Sequence, residues 1–550
     1  MTAKSVRFSR LSTRLLDRLG DWFPHLVRDL LGRLKPRSVA LVTAVSILCQ
    51  LLLMFVFWVE LPEAGAKVSR YNPYGIPGPE GILAGIRWEV WWQDIFQTLN
   101  VILPAALILI GVYMLINDLA TEEQRGTLNF IRLTPQSSQK ILTGKLLGTP
   151  VLLYLALATA LPLHIWAAQS GAVPINYLIT FYLFTGAIAL AFYTVALLLP
   201  VLGLNQAWLG ATLASMAVFP LSAVSFHLME TALKHQELFR VLSEAGLTQA
   251  YWFFVPLGAN FWLITGFFFL SFLVINYWVW QAVNRRFRNP NASAITKAQS
   301  YLIFAGLQVW LIGFVWSDFD QSFSGEQLTW QLFSAAGIYY LFILMPMLAL
   351  GLLAAVSPSR QSLQDWARYY HKNHVTQKGF WNRALVRELI WGEKSPVVIA
   401  MGINLGIVAL CWMPWLAILM MKLGVNGPEM LQMLAGLTLT LSFILICAVV
   451  AQLVLFVKAR KPSVWAIGSV VALVALPPMT LGILGLTPES RPEFWLVTGF
   501  PFYSVFNTSI TMTLVAVLAQ GSILSVLGFR LVKKLQKVGA SESKALMAGS

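Results

Sequence analysis

Apolar residues in this chain fall in long unbroken blocks separated by short polar stretches. A membrane-crossing helix needs about 20 predominantly apolar residues. Twelve blocks approach or exceed that length: 38–59, 98–117, 146–168, 175–200, 207–226, 253–280, 300–316, 333–356, 397–421, 431–457, 464–486 and 506–529. The seventh is the shortest. The blocks are continuous rather than alternating, which excludes a barrel. In hydrocarbon every backbone N–H and C=O needs an internal partner, so each block predicts a helix. The expected fold is an all-α polytopic membrane protein with about 12 transmembrane helices.

Composition sharpens this picture. Of 550 residues, 57% are hydrophobic and only 11% are charged, against about 25% charged in soluble domains. That supply does not cover a water-facing surface of this size, which excludes a soluble enzyme and a disordered scaffold. Cys49, Cys411 and Cys447 lie far apart inside apolar runs, so neither a disulfide framework nor a thiolate metal site is expected. If all twelve blocks cross and the N-terminus is cytoplasmic, 32 of the 39 Lys and Arg residues fall on the cytoplasmic side. The positive-inside rule then predicts both termini inside. The net charge of +15 is spread over separate connecting pieces and needs no nucleic-acid partner. Residues 38–59 read as a retained first span, because the charged stretch ahead of them is too long for a signal peptide.

The blocks contain no Asp, Glu, Lys or Arg. A charge at the bilayer centre costs at least about 2.5 kcal/mol and usually marks an ion or proton path, so an ion-coupled carrier is not expected. His164, near the outer end of the third block, reads as a hydrogen-bonded interfacial side chain. No GxxxxGK[ST] phosphate loop occurs, and Gly144-Lys145 lacks the upstream glycine. The chain is therefore not expected to be an enzyme or to hold a cofactor, and any ATP chemistry would belong to another subunit.

Residues 118–145 read DLATEEQRGTLNFIRLTPQSSQKILTGK. Acidic residues come first, then Gly-Thr-Leu, an apolar turn, Thr-Pro, a polar gap, and Gly-Lys opening the third block. In numbers these are Glu122, Glu123, Arg125, Gly126, Thr127, Leu128, Thr134, Pro135, Ser137, Ile141, Gly144 and Lys145. The segment resembles the cytoplasmic loop of ABC-2-type permeases, the membrane subunits of type V ABC exporters. Gln124 and Asn129 stand where that family often has Glu. The resemblance implies a coupling helix that docks in a cleft of a separate cytoplasmic ABC ATPase. From the residues alone, Glu122 and Glu123 would open a short amphipathic helix. Leu128, Ile131 and Leu133 would form its apolar side, Pro135 would end it, and Ser137 or Ser138 would cap the next helix. An ordinary capped helix-loop with solvated charges fits the spacing equally well.

Other features fill in the layout. Residues 8–34 carry Leu11, Leu15, Leu19, Trp22, Leu26 and Leu30 at helical spacing among arginines, an amphipathic pattern suited to the headgroup plane. Residues 228–246 read as an external amphipathic helix. The expected organisation is an interfacial segment 1–37, a six-span ABC-2-like domain 38–288 with loop 118–145, and a second membrane region 289–550 with cytoplasmic loop 357–396. Leu26-Val27-Arg28-Asp29-Leu30 recurs as Leu385-Val386-Arg387-Glu388-Leu389, which leaves open a second unit of six spans or of four beginning near 380. A second ATPase contact would use Arg387, Trp391, Glu393 and Lys394. His371 and His374 lack the further ligands a metal site needs; a basic aromatic segment on anionic lipid explains 357–396 better.

The resemblance implies a permease of an ATP-driven exporter in a bacterial plasma membrane, acting as a homodimer or as two fused halves. Two other classes stay open. One is a polytopic enzyme acting on lipid-linked substrates, for which Asp318, Asp320 and Glu326 form the best external acidic cluster. The other is a non-transporting membrane scaffold.

Overall fold

The computed structural model describes residues 23–62, 70–71, 86–216, 218, 251–257, 260–316, 337–374, 383–422, 427–459 and 462–547. Among these, the regular elements are helical and no strand forms. Among the described residues eleven helices are long and apolar enough to cross a membrane, so the chain is an all-α polytopic membrane protein. It divides into two compact units at 290/291, with the short segment Ala250–Pro256 belonging to the second.

The first unit contains α1 (Pro24–Arg33), α2 (Pro36–Val59), α3 (Trp88–Gln124), α4 (Thr127–Arg132), α5 (Ser138–Gly148), α6 (Val151–Ser170) and α7 (Ile175–Val201). The short α8 (Ala207–Met216) and the long α9 (Phe261–Arg288) complete it. The centre is α3, whose Ile108, Val112, Leu115, Ile116 and Leu119 recur at helical spacing and are buried. They pack with Tyr193 and Leu197 of α7, Leu128 of α4, Ile141 of α5 and Phe287 of α9. Gly111 lets α7 come close, since a Cβ there would overlap the Tyr193 ring and hydroxyl. That hydroxyl donates to the Leu107 carbonyl at 2.6 Å.

Helix bounds depart from the apolar blocks at identifiable places. α3 outruns its block at both ends, where Asp94, Asp118 and Glu122 find partners. At one end Asp94 accepts from Arg70 and from the Tyr71 hydroxyl. The third span begins at Val151 rather than 146, because Pro150 has no N–H to donate and breaks the path from α5 into α6. Of the fifth block, α8 covers only 207–216; the rest of it, and the 228–246 helix, lie outside the described residues. His164 is fully buried and, as expected, hydrogen-bonded. It stacks on Phe96 at 4.6 Å and bonds the Tyr182 hydroxyl at 2.6 Å and Asn100 Oδ1 at 3.0 Å.

The second unit contains α10 (Lys297–Trp316), α11 (Gly337–Val356), α12 (Arg360–His374), α13 (Arg383–Trp391), α14 (Val398–Lys422), α15 (Gly427–Leu455), α16 (Pro462–Ile483) and α17 (Ile510–Met547). Single helical turns at Pro492–Trp495 and Phe502–Val505 precede α17. The central helix is α15, whose Met433, Leu437, Ile444, Cys447 and Ala448 are buried. A π-turn interrupts α11 at Tyr340–Leu344. Beside it, Gln308 Oε1 accepts from Trp412 Nε1 at 2.8 Å and from the Tyr340 hydroxyl at 3.0 Å. Its amide nitrogen donates to the Phe304 carbonyl at 3.1 Å, so this buried amide is satisfied on both sides.

Candidate functional site

The segment singled out by sequence is a tight turn of structure at the end of α3. α3 runs through Glu122 and Glu123 to Gln124, then breaks at Gly126, whose φ of 72° lies in the left-handed region that favours glycine. The two glutamates therefore end the long helix instead of opening the short one. The negative end of a helix repels acids, so their position requires nearby cations. α4 follows, with Leu128 and Ile131 buried in the α3–α5 core. Leu133 is not part of that apolar side: it is 82% exposed, and Phe130 beside it is 75% exposed. Thr134 turns back to donate to the Ile131 carbonyl at 2.7 Å, and Thr127 donates to the Glu122 carbonyl at 3.1 Å. Ser137 caps α5 by accepting from the Lys140 N–H at 3.4 Å. The turn is seated on the end of α9, where Ser138 donates to Asn284 and the Arg132 guanidinium lies 5.4 Å over the Phe287 ring. Burial pushes Arg132 below its usual pKa, and Glu123 pulls it back up.

The cations that hold Glu122 come from two other helices. Lys145 of α5 is 1% exposed. Its ammonium lies 2.8 Å from both Asp118 and Glu122, one turn apart on α3. Arg33 of α1 reaches Asp118 at 2.7 Å, and Arg28 stands 3.8 Å from Glu122 and 3.3 Å from Asp29. Thr149 adds a 3.4 Å bond to Asp118. Three helices thus share one charge cluster. Gly144 and Gly148 bring α1 close to α5: a Cβ at Gly144 would lie 3.1 Å from the Leu26 nitrogen, and one at Gly148 2.9 Å from Asp29 Cβ. At this contact His25 is pushed below its ordinary pKa of 6.5 by burial first, then by Arg28 and Lys145, with Asp29 opposing.

The named residues therefore separate into three sets by depth. Arg125, Thr127 and Pro135 are exposed, with Gly126, Thr134, Glu122 and Glu123 half-buried, while Leu128, Gly144 and Lys145 are interior. Sequence reasoning missed Phe130 as part of the exposed tip, and Asp118, Arg28 and Arg33 as parts of the cluster. Asp118 and Glu122 at i,i+4 just past an apolar block were a signal that a buried cation must be near.

In the second unit, Arg387, Trp391, Glu393 and Lys394 are all exposed, at the end of α13 and the turn into α14. Lys297 anchors this turn. Its ammonium is buried and donates to the Leu389 and Pro396 carbonyls at 2.8 and 2.9 Å and to Ser395 Oγ at 2.7 Å. The Tyr301 hydroxyl donates to the Ile390 carbonyl at 2.7 Å. The side chains of His371 and His374, residues 1–22, and Asp318, Asp320 and Glu326 lie outside the described residues. No known protein family, no curated protein and no solved structure matches the chain.

Proposed function

We propose that the chain is the permease subunit of an exporter in a bacterial plasma membrane, driven by a separate cytoplasmic ATPase. The ATPase docks on the tip formed by Arg125, Thr127, Phe130, Leu133 and Pro135. One observation carries the reading: a six-residue helix and its C-cap residue present Phe130 and Leu133 outward, while the base is fixed by ion pairs to the buried Lys145. Isolated apolar side chains on a protein surface need no explanation. Two at the end of one short helix, braced by Lys145, Asp118 and Glu122, make a lever that transmits force to α3, α5 and α1 together. The likeness of 118–145 to ABC-2 coupling loops supports the same reading.

Photo-crosslinkers placed at Phe130 and Leu133 in the native host test it. The expected product is one adduct with a soluble ATP-binding protein, absent when the crosslinker replaces Leu410, a large exposed apolar residue of α14. Adducts only with lipid at both tip positions would contradict the docking.

A further inference from the structure

We infer that the second unit carries a binding site for anionic phospholipid headgroups on the basic face of α17, just past its apolar run. This rests on the chain being a membrane protein and not on the exporter reading.

Arg530, Lys533, Lys534 and Lys537 follow one another at i, i+3, i+4 and i+7, which places them on one helix face. All four are exposed. Like charges at this spacing repel, and two usual remedies are missing. No Asp or Glu occurs anywhere from 526 to 541, so no acid on the same helix lies within a turn of the stripe. The helix runs on to Met547, so the favourable C-terminal dipole is more than two turns away. Among the described residues none of the four forms an ion pair.

The other side of the same helix is fixed. Leu531 is buried with Leu363 of α12, Leu455, Phe456 and Ala466, and Leu535 and Val538 pack against that cluster. The basic face is therefore held turned away from α12. Lys458 is exposed beside Phe456 at this end of the unit. Arg360 donates to the neighbouring Val457 carbonyl at 3.2 Å.

Depth decides between a lipid and a soluble partner. Exposed Leu518, Ile523, Val526 and Phe529 lead directly to Arg530, so the stripe starts where the hydrocarbon ends. A rise of 1.5 Å per residue puts Lys537 about 10 Å further on. The headgroup layer is roughly 5–8 Å thick on each side, and lysine stems reach several ångströms back toward it. Phosphate-bearing headgroups therefore lie within reach of all four cations.

The test uses the purified full-length chain in neutral detergent, titrated with phosphatidylglycerol or phosphatidylcholine and read by native mass spectrometry. Wild type is expected to retain phosphatidylglycerol roughly tenfold better than a variant with Arg530, Lys533, Lys534 and Lys537 all changed to Gln. Phosphatidylcholine should show no such difference, and salt should weaken phosphatidylglycerol binding to wild type. A Lys533→Arg, Lys534→Arg, Lys537→Arg variant should bind as wild type does, which keeps the test valid if the Gln variant fails to fold. Equal retention of the two lipids by wild type would overturn the proposal. So would displacement by inorganic phosphate, which would mean a free-anion site. Loss of a co-purifying protein from the Gln variant with lipid binding unchanged would instead assign the face to a protein partner.

Discussion

At the scale of single residues, Lys145 holds the charge cluster together. Its ammonium is the shared partner of Asp118 and Glu122, and removing one member of a buried charge set leaves the others uncompensated. Lys145→Met should destabilise the protein by about 3 kcal/mol, the low end of the usual range because both carboxylates keep some contact with water. Thermal unfolding in detergent checks this, and adding Glu122→Gln should recover part of the loss. His25 sets a pH dependence at the same contact. Its folded pKa lies below its ordinary value, so the unfolded chain binds more protons as pH falls. The contribution is complete above pH 6.5 and is lost on acidification below it. Melting temperature should therefore fall between pH 7.5 and 5.5 more steeply in wild type than in His25→Gln. The sequence marked Lys145 through a motif but not its inward role. Its companion Arg33 lies 85 positions from Asp118, and nothing local announces that pairing.

At the scale of elements, the long apolar blocks were legible because each is a continuous run that only a helix satisfies in lipid. Their ends were not, since these depend on partners elsewhere in the chain. Asp94 stays helical because Arg70 and Tyr71 receive it, and α3 reaches Gln124 because Lys145 and Arg28 neutralise its end. The α4 turn was half legible: Pro135 and Ser137 acted as stop and cap, while the left-handed Gly126 moved the break three residues past Glu123. That glycine gives a direct test. Alanine in this conformation costs roughly 1–2 kcal/mol, so Gly126→Ala should strain the break and re-aim α4. The expected result is faster proteolysis next to Phe130 and Leu133 at nearly unchanged overall helicity. A cleavage pattern identical to wild type would mean the turn angle does not depend on that φ.

At the scale of the whole molecule, the chain is two compact units, and each has its own polar device at a helix end. In the first, Lys145 is met by carboxylates; in the second, Lys297 is met by carbonyls and a hydroxyl. The segment Ala250–Pro256 precedes α9 in the chain yet belongs to the second unit. Trp252 Nε1 donates to the Trp310 carbonyl at 3.0 Å, and the Phe253 N–H donates to the Gly313 carbonyl at 2.7 Å. A protease site inserted at 290/291 should therefore give fragments that stay together in mild detergent after cutting. Gly313→Leu, which would overlap the Trp252 ring, should weaken that association.

The most direct test of the proposed function is to purify the tagged chain from its native host in mild detergent and measure the ATPase that accompanies it. A soluble ATPase in stoichiometric amount, lost from a Phe130→Asp, Leu133→Asp variant that still elutes as a monodisperse protein, is the expected result. The same ATPase bound equally by that variant, or none bound by wild type, would contradict docking at α4.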